Sequence, residues 1–203
     1  METIAARRAI GSQASPRVSR ATEFITAATA ALRAATGIGT DADALDTASS
    51  ATTLTLATVT EAGDVAVTNS GDLVVGTVDG LSGSTITDAA LNDSGNDNIT
   101  LIASSPLTVN DAIINNDGGN ITLTATDDGG SDDDLTISAD VTALGGNGAI
   151  DLNAGTDLII NNDVTVSTVG SGAITGDAVR SIEIMRNAGT TTVQTADGSI
   201  ALT

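Results

Sequence analysis

Short runs of alternating apolar and polar residues, bounded by Gly, Asn and Asp, recur along most of the chain. One kind reads "GDVAV" (Gly63–Val67), "DNITL" (Asp97–Leu101), "GNITL" (Gly119–Leu123), "GAIDL" (Gly148–Leu152), "GAITG" (Gly172–Gly176) and "GSIAL" (Gly198–Leu202). Alternation with a period of two between turn-forming residues predicts strands. A second kind follows all but the last: "DLVV" (Asp72–Val75), "PLTV" (Pro106–Val109), "DLTI" (Asp134–Ile137), "DLII" (Asp157–Ile160) and "SIEI" (Ser181–Ile184). Val65 to Leu73, Ile99 to Leu107, Ile150 to Leu158 and Ile174 to Ile182 are each 8 residues apart, whereas Ile121 to Leu135 is 14. A third run is less regular: "AII" (Ala112–Ile114), "DVTAL" (Asp140–Leu144) and "DVTVSTV" (Asp163–Val169). Leu135 to Val141 and Leu158 to Val164 are both 6 residues, which predicts that Val141 and Val164 occupy equivalent places.

One repeat is therefore three strands and three turns in roughly two dozen residues, a period typical of solenoids. With no helical periodicity inside the repeat, the economical all-β solution is a parallel β-helix, or β-solenoid, in which equivalent strands stack at about 4.8 Å. About five to six coils are expected between Leu54 and Thr203 at this period. In "NITLT", Ile121 and Leu123 should point inward and Thr122 and Thr124 outward. The repeat region is expected over residues 31–203. Residues 1–30 do not match it and are expected to be irregular, disordered or weakly helical, with a helical tendency near Ala21–Ala34. The chain stops at Thr203 just after a strand of the first kind begins, with no polar cap in view. An uncapped strand edge predicts edge-to-edge self-association.

Composition narrows the chemistry. The chain has 203 residues, a formal net charge of -19, one aromatic residue (Phe24), and no His, Cys or Lys. All basic residues are arginine, and none lies between Ala34 and Val179. So acidic a surface repels phosphate backbones, which argues against nucleic-acid partners. Zinc and iron–sulfur sites lack their usual ligands, and His-based nucleophilic catalysis lacks its base. No apolar run approaches the roughly 20 residues needed to span a bilayer as a helix, so membrane insertion is not expected. "FITAATAAL" (Phe24–Leu32) is the nearest approach to a signal core, but Glu23 and Arg33 bracket it and a long basic stretch precedes it.

"GIGTDADALDT", "GDLVVGTVDGLSG", "NITLIASSPLTVN" and "GNITLTA" resemble the coil repeats of filamentous haemagglutinin-like large exoproteins. Those are bacterial surface adhesins exported by two-partner secretion, with related autotransporter passengers. The resemblance covers roughly Leu32–Thr203. It implies a right-handed β-helical rod, an extracellular or outer-cell-surface location, and a role in adhesion or spacing. It also implies a host or neighbouring-cell receptor or glycan as partner, with flanking coils of a longer parent chain. The "NPNG"-like secretion motifs of that family are absent from the sequence, so the chain reads as an internal piece of a longer exoprotein, or an open reading frame starting within one.

"TDDGGSDDDL" carries Asp127, Asp128, Asp132, Asp133 and Asp134. Deleting six residues here would restore the offset of 8, so Asp127–Asp132 reads as an insertion at a corner. The plain reading is a solvated acidic loop with no catalytic or cofactor-binding residues. A second is a calcium site formed by the five aspartates, since Ca²⁺ takes six to eight oxygens. That would make the chain a calcium-stabilised secreted repeat protein. A third is a carbohydrate-active β-helix using Asp127 and Asp128 as a carboxylate pair. No basic or imidazole partner accompanies those acids in the sequence. "VRSIEIMR" (Val179–Arg186) places Arg180, Glu183 and Arg186 on strands, where they are expected to be exposed, solvated charges, the arginines offsetting nearby aspartates.

Overall fold

A computed structural model describes residues 24–49, 53–87, 96–187 and 189–203. Within them every regular element is a strand, and nearly all belong to one sheet whose pairings are parallel. The result is the β-solenoid that the repeat predicts. The first-kind strands stack into one face, with Ile38, Val65, Ile99, Ile121, Ile150, Ile174 and Ile200 in register. The second face aligns Leu54, Leu73, Leu107, Leu135, Leu158 and Ile182. Seven rungs on the first face give an axial length of about 29 Å at the usual strand spacing.

The strand Thr53–Asn69 visits all three faces without a break. Its Thr53–Leu56 pairs with Asp72–Val75, Thr58–Thr60 with Ser84–Ile86, and Val65–Asn69 with Ile99–Ala103. Side chains alternate as the pleat requires: in Ile121–Ala125, Ile121, Leu123 and Ala125 are buried while Thr122 and Thr124 are half-buried outside. The core is a set of aliphatic columns. Each column is one residue wide, so a small inward residue is matched by neighbours that lean in, as Leu158 and Leu202 do over Gly176. Polar residues turn inward at corners, where their side chains satisfy backbone groups, and on the third face, where the buried Thr58 and Ser84 hydroxyls bond each other at 2.7 Å. Asn69 Nδ2 donates to the carbonyls of Gly71 and Asp72 at 2.9 Å, and Asn115 Nδ2 to that of Asp97 at 2.7 Å.

Three details differ from the sequence expectation. On the third face Val141 pairs with Val166, not Val164. Val164 is also buried, but it lies in the corner just after Asp163, whose φ of 61° swings the chain before the strand Thr165–Thr168 begins. Second, the solenoid begins ahead of residue 31. Phe24–Ala27 and Thr29–Ile38 are strands, so the described part of the Ala21–Ala34 stretch is extended rather than helical. Residues 1–23 lie outside the described residues. Third, "TVDGLS" forms a small antiparallel hairpin, Thr77–Val78 with Leu81–Ser82. Asp79 and Gly80 both have positive φ, the condition for a type I′ turn. Val78 and Leu81 pack on Ala57 in a satellite cluster beside the main core.

The final coil, Ser181–Ile184, Thr192–Gln194 and Ile200–Leu202, has neighbours on one side only. Ile184 and Ile200 are 44% and 45% exposed, although residues in the same columns one coil earlier are fully buried.

Candidate functional site

The acidic insertion sits at the corner between the first and second faces. Ala103, Ala125 and Ala154 are aligned before it, and Leu107, Leu135 and Leu158 after it. Neighbouring coils cross this corner in three residues (104–106 and 155–157), whereas residues 126–134 take nine. The six extra residues are those expected. Asp127 to Asp132 are all exposed, Asp134 is half-buried, and Asp133 is fully buried. The sequence thus grouped five aspartates that the fold separates into different environments.

Local hydrogen bonds shape the loop. Gly129 N donates to Asp127 Oδ1 at 2.8 Å, and Gly130 N to Asp128 Oδ1 at 2.9 Å. These are the two-residue turns that aspartate side chains favour. Asp128 N donates to Asp133 Oδ2 at 3.2 Å, while Asp133 Oδ1 has no hydrogen-bond partner among the described residues. The loop base lies close over the next coil because Gly155 has no side chain: a Cβ there would stand 2.6 Å from Asp127 N. Asp134 ties the corner to the coil that follows, accepting from Asp157 N at 3.0 Å.

Three carboxylates crowd the bare face of Gly130. The position its Cβ would take lies 3.0 Å from Asp128 Oδ1, 3.0 Å from Asp132 Oδ1 and 3.6 Å from Asp133 Oδ2. Burial pushes the Asp133 carboxyl above its ordinary value, and the charges of Asp128, Asp127 and Asp132 push it further; the amide of Asp128 opposes them. As the side chains stand, no three acidic groups among the described residues are gathered closely enough to hold a metal ion. Asp127 and Asp128, the candidate carboxylate pair, are both solvent-exposed, with one oxygen of each engaged by a loop amide.

Arg180 has a more specific role than a solvated charge. Its Nε donates to Asp157 Oδ1 at 2.9 Å and its Nη2 to Oδ2, while Ser181 Oγ also reaches Asp157 Oδ1 at 2.8 Å. This two-pronged clamp joins consecutive coils and holds the Asp157 carboxyl below its usual range, chiefly through the hydrogen bond from Arg180. The signal was present in sequence: Ser181 aligns with Asp157, so Arg180 falls one residue before the equivalent place. Glu183 and Arg186 remain exposed.

Two shallow surface depressions stand out among the described residues. One lies at the open C-terminal end between Ala178, Arg180, Ile182, Ile184 and Leu202. The other lies near Arg33 and Glu61. No helix among the described residues is long and apolar enough to cross a membrane. No protein-family model, curated protein or solved structure matches this chain significantly.

Proposed function

We propose that this chain is a structural or adhesive β-solenoid segment of a bacterial secreted or surface-anchored exoprotein, without a catalytic role. The observation that carries the reading is the parallel stacking of seven rungs on the first face, with a register shift between Thr36 and Ile38. Stacked parallel coils make a stiff element suited to spacing, and they present outward residues in regular rows. One such row runs Thr100, Thr122, Asp151 and Thr175, with Thr175 hydrogen-bonded to Asp151. Its partners would be a receptor or glycan on a host or neighbouring cell. Flanking coils of a parent chain, or a second copy, would cover the open edge at Ile184 and Ile200.

The test is binding of fluorescently labelled chain to cultured cells and to a glycan array. Saturable binding displaced by unlabelled chain supports the adhesive reading. Release of reducing ends from acidic polysaccharides would overturn the non-catalytic part. Absence of binding on every surface would overturn the adhesive part and leave spacing.

A further inference from the structure

The geometry points to a calcium site at the corner insertion, in which the buried Asp133 carboxylate, with its free Oδ1, is the fixed ligand and Asp128 and Asp132 close over it. Two independent observations converge. The first is the crowding of Asp128, Asp132 and Asp133 oxygens around the bare face of Gly130. The second is Asp133 itself: a fully buried side chain whose Oδ2 faces that crowd and accepts from Asp128 N, while its other oxygen, Oδ1, has no partner among the described residues. An unsatisfied buried acceptor carries a desolvation cost that a cation would remove.

The charges that act most strongly on Asp133 are those of Asp128, Asp127 and Asp132, all of its own sign. The guanidinium of Arg180 is committed to Asp157 in the coil that follows. A cation held here would therefore neutralise repulsion among these carboxylates. Hard oxygen donors select a hard cation. A loop with several carboxylates and no enforced octahedral geometry suits Ca²⁺, which accepts six to eight oxygens at 2.3–2.6 Å, better than the more exacting Mg²⁺. Because no three carboxylates stand at ligand spacing in the unliganded arrangement, binding must draw the exposed Asp128 and Asp132 inward and order the loop. The inference is independent of the adhesive reading, since a spacer, an adhesin or an enzyme could each use it.

The experiment is calorimetric titration of the full chain with CaCl₂, together with urea unfolding in CaCl₂, in MgCl₂, and in NaCl of matched ionic strength. Binding of one equivalent is expected, with a dissociation constant of about 10⁻⁴–10⁻³ M or tighter, the range of extracellular calcium modules. At a free Ca²⁺ concentration 100 times that constant, the folding equilibrium constant should rise about 100-fold. Two variants localise the effect: Asp128→Asn with Asp132→Asn, and deletion of residues 127–132, which restores the three-residue corner of the adjacent coils. Both should keep the wild-type far-UV dichroism and lose the calcium response. The proposal is overturned by absence of binding at about ten times the weakest affinity in that range. It is equally overturned by a shift that NaCl reproduces, or by either folded variant retaining the response.

Discussion

The corner that leads into the first face carries Gly119, Gly148, Gly172 and Gly198, and none of them needs a left-handed backbone. They are required by the distance between coils. A Cβ built on Gly148 would stand 2.0 Å from the carbonyl oxygen of Gly119 in the preceding coil, where real Cβ atoms keep beyond 3.0 Å. In Gly148→Ala the two backbones must separate by about 1 Å, because the obstacle is a carbonyl and not a side chain that can rotate. That separation breaks the bonds beside it, Ile121 N to Ala149 O and Ala149 N to Asn120 Oδ1, both 2.9 Å. Two hydrogen bonds at about 0.5–1.5 kcal/mol each, plus about 1–3 kcal/mol of overpacking, put the loss at roughly 2–6 kcal/mol. The sign is diagnostic, since Gly→Ala at an unstrained backbone normally stabilises by about 0.4–1 kcal/mol. Urea unfolding should show a lower midpoint with an unchanged slope. Gly76→Ala is the control, as its Cβ would meet side-chain methyls alone, Thr55 Cγ2 at 3.2 Å and Val74 Cγ1 at 3.7 Å; it should stay within about 1 kcal/mol of wild type. A Gly148→Ala chain as stable as wild type would refute the close-approach reasoning.

Position along the stack should grade the core: Leu101→Ala, buried between coils, should cost about 2–5 kcal/mol. Ile200→Ala, on the open coil and 45% exposed, should cost under about 1 kcal/mol in the same assay. Asp157 lies below its ordinary value of 3.8, so its contribution is complete above that pH and is lost as pH falls through the depressed value. Arg180→Gln should therefore move the acid-unfolding midpoint, followed by circular dichroism, to higher pH. Asp133 has the opposite sign: its raised carboxyl favours the folded state in acid and loses that advantage as pH climbs above 3.8. Asp133→Asn should be more stable than wild type at pH 7 in chelator and unresponsive to Ca²⁺; a destabilised variant would contradict the burial cost assigned to this carboxylate. Finally, with no basic side chain between Ala34 and Val179, added NaCl should raise the melting temperature by screening repulsion over about 8–10 Å.

The chain's alternation and spacing were enough to set the first two faces residue by residue. Val65, Ile99, Ile121, Ile150, Ile174 and Ile200 align in the structure as they do in the sequence, and so do Leu73, Leu107, Leu135, Leu158 and Ile182. This follows because inward positions must fall on one pleat parity, and a fixed offset between strands leaves little freedom for register. The six-residue insertion was legible for the same reason. Parity alone, however, cannot separate Val164 from Val166. Both point inward, and only the left-handed backbone at Asp163 decides which one pairs with Val141.

The rest of what was hidden depends on contacts between coils. "GNI" and "GAI" look like turn glycines in sequence, yet the cause is a carbonyl one coil away. Five aspartates in a row look like one cluster, yet Asp133 shares the pleat parity of the core while Asp127 to Asp132 are displaced into solvent by the insertion. Sequence determined the period, the strands and the direction of each side chain, because these are local and repeat. The tertiary structure decided which groups meet across the stack, because that depends on a separation of about 4.8 Å between residues some two dozen positions apart.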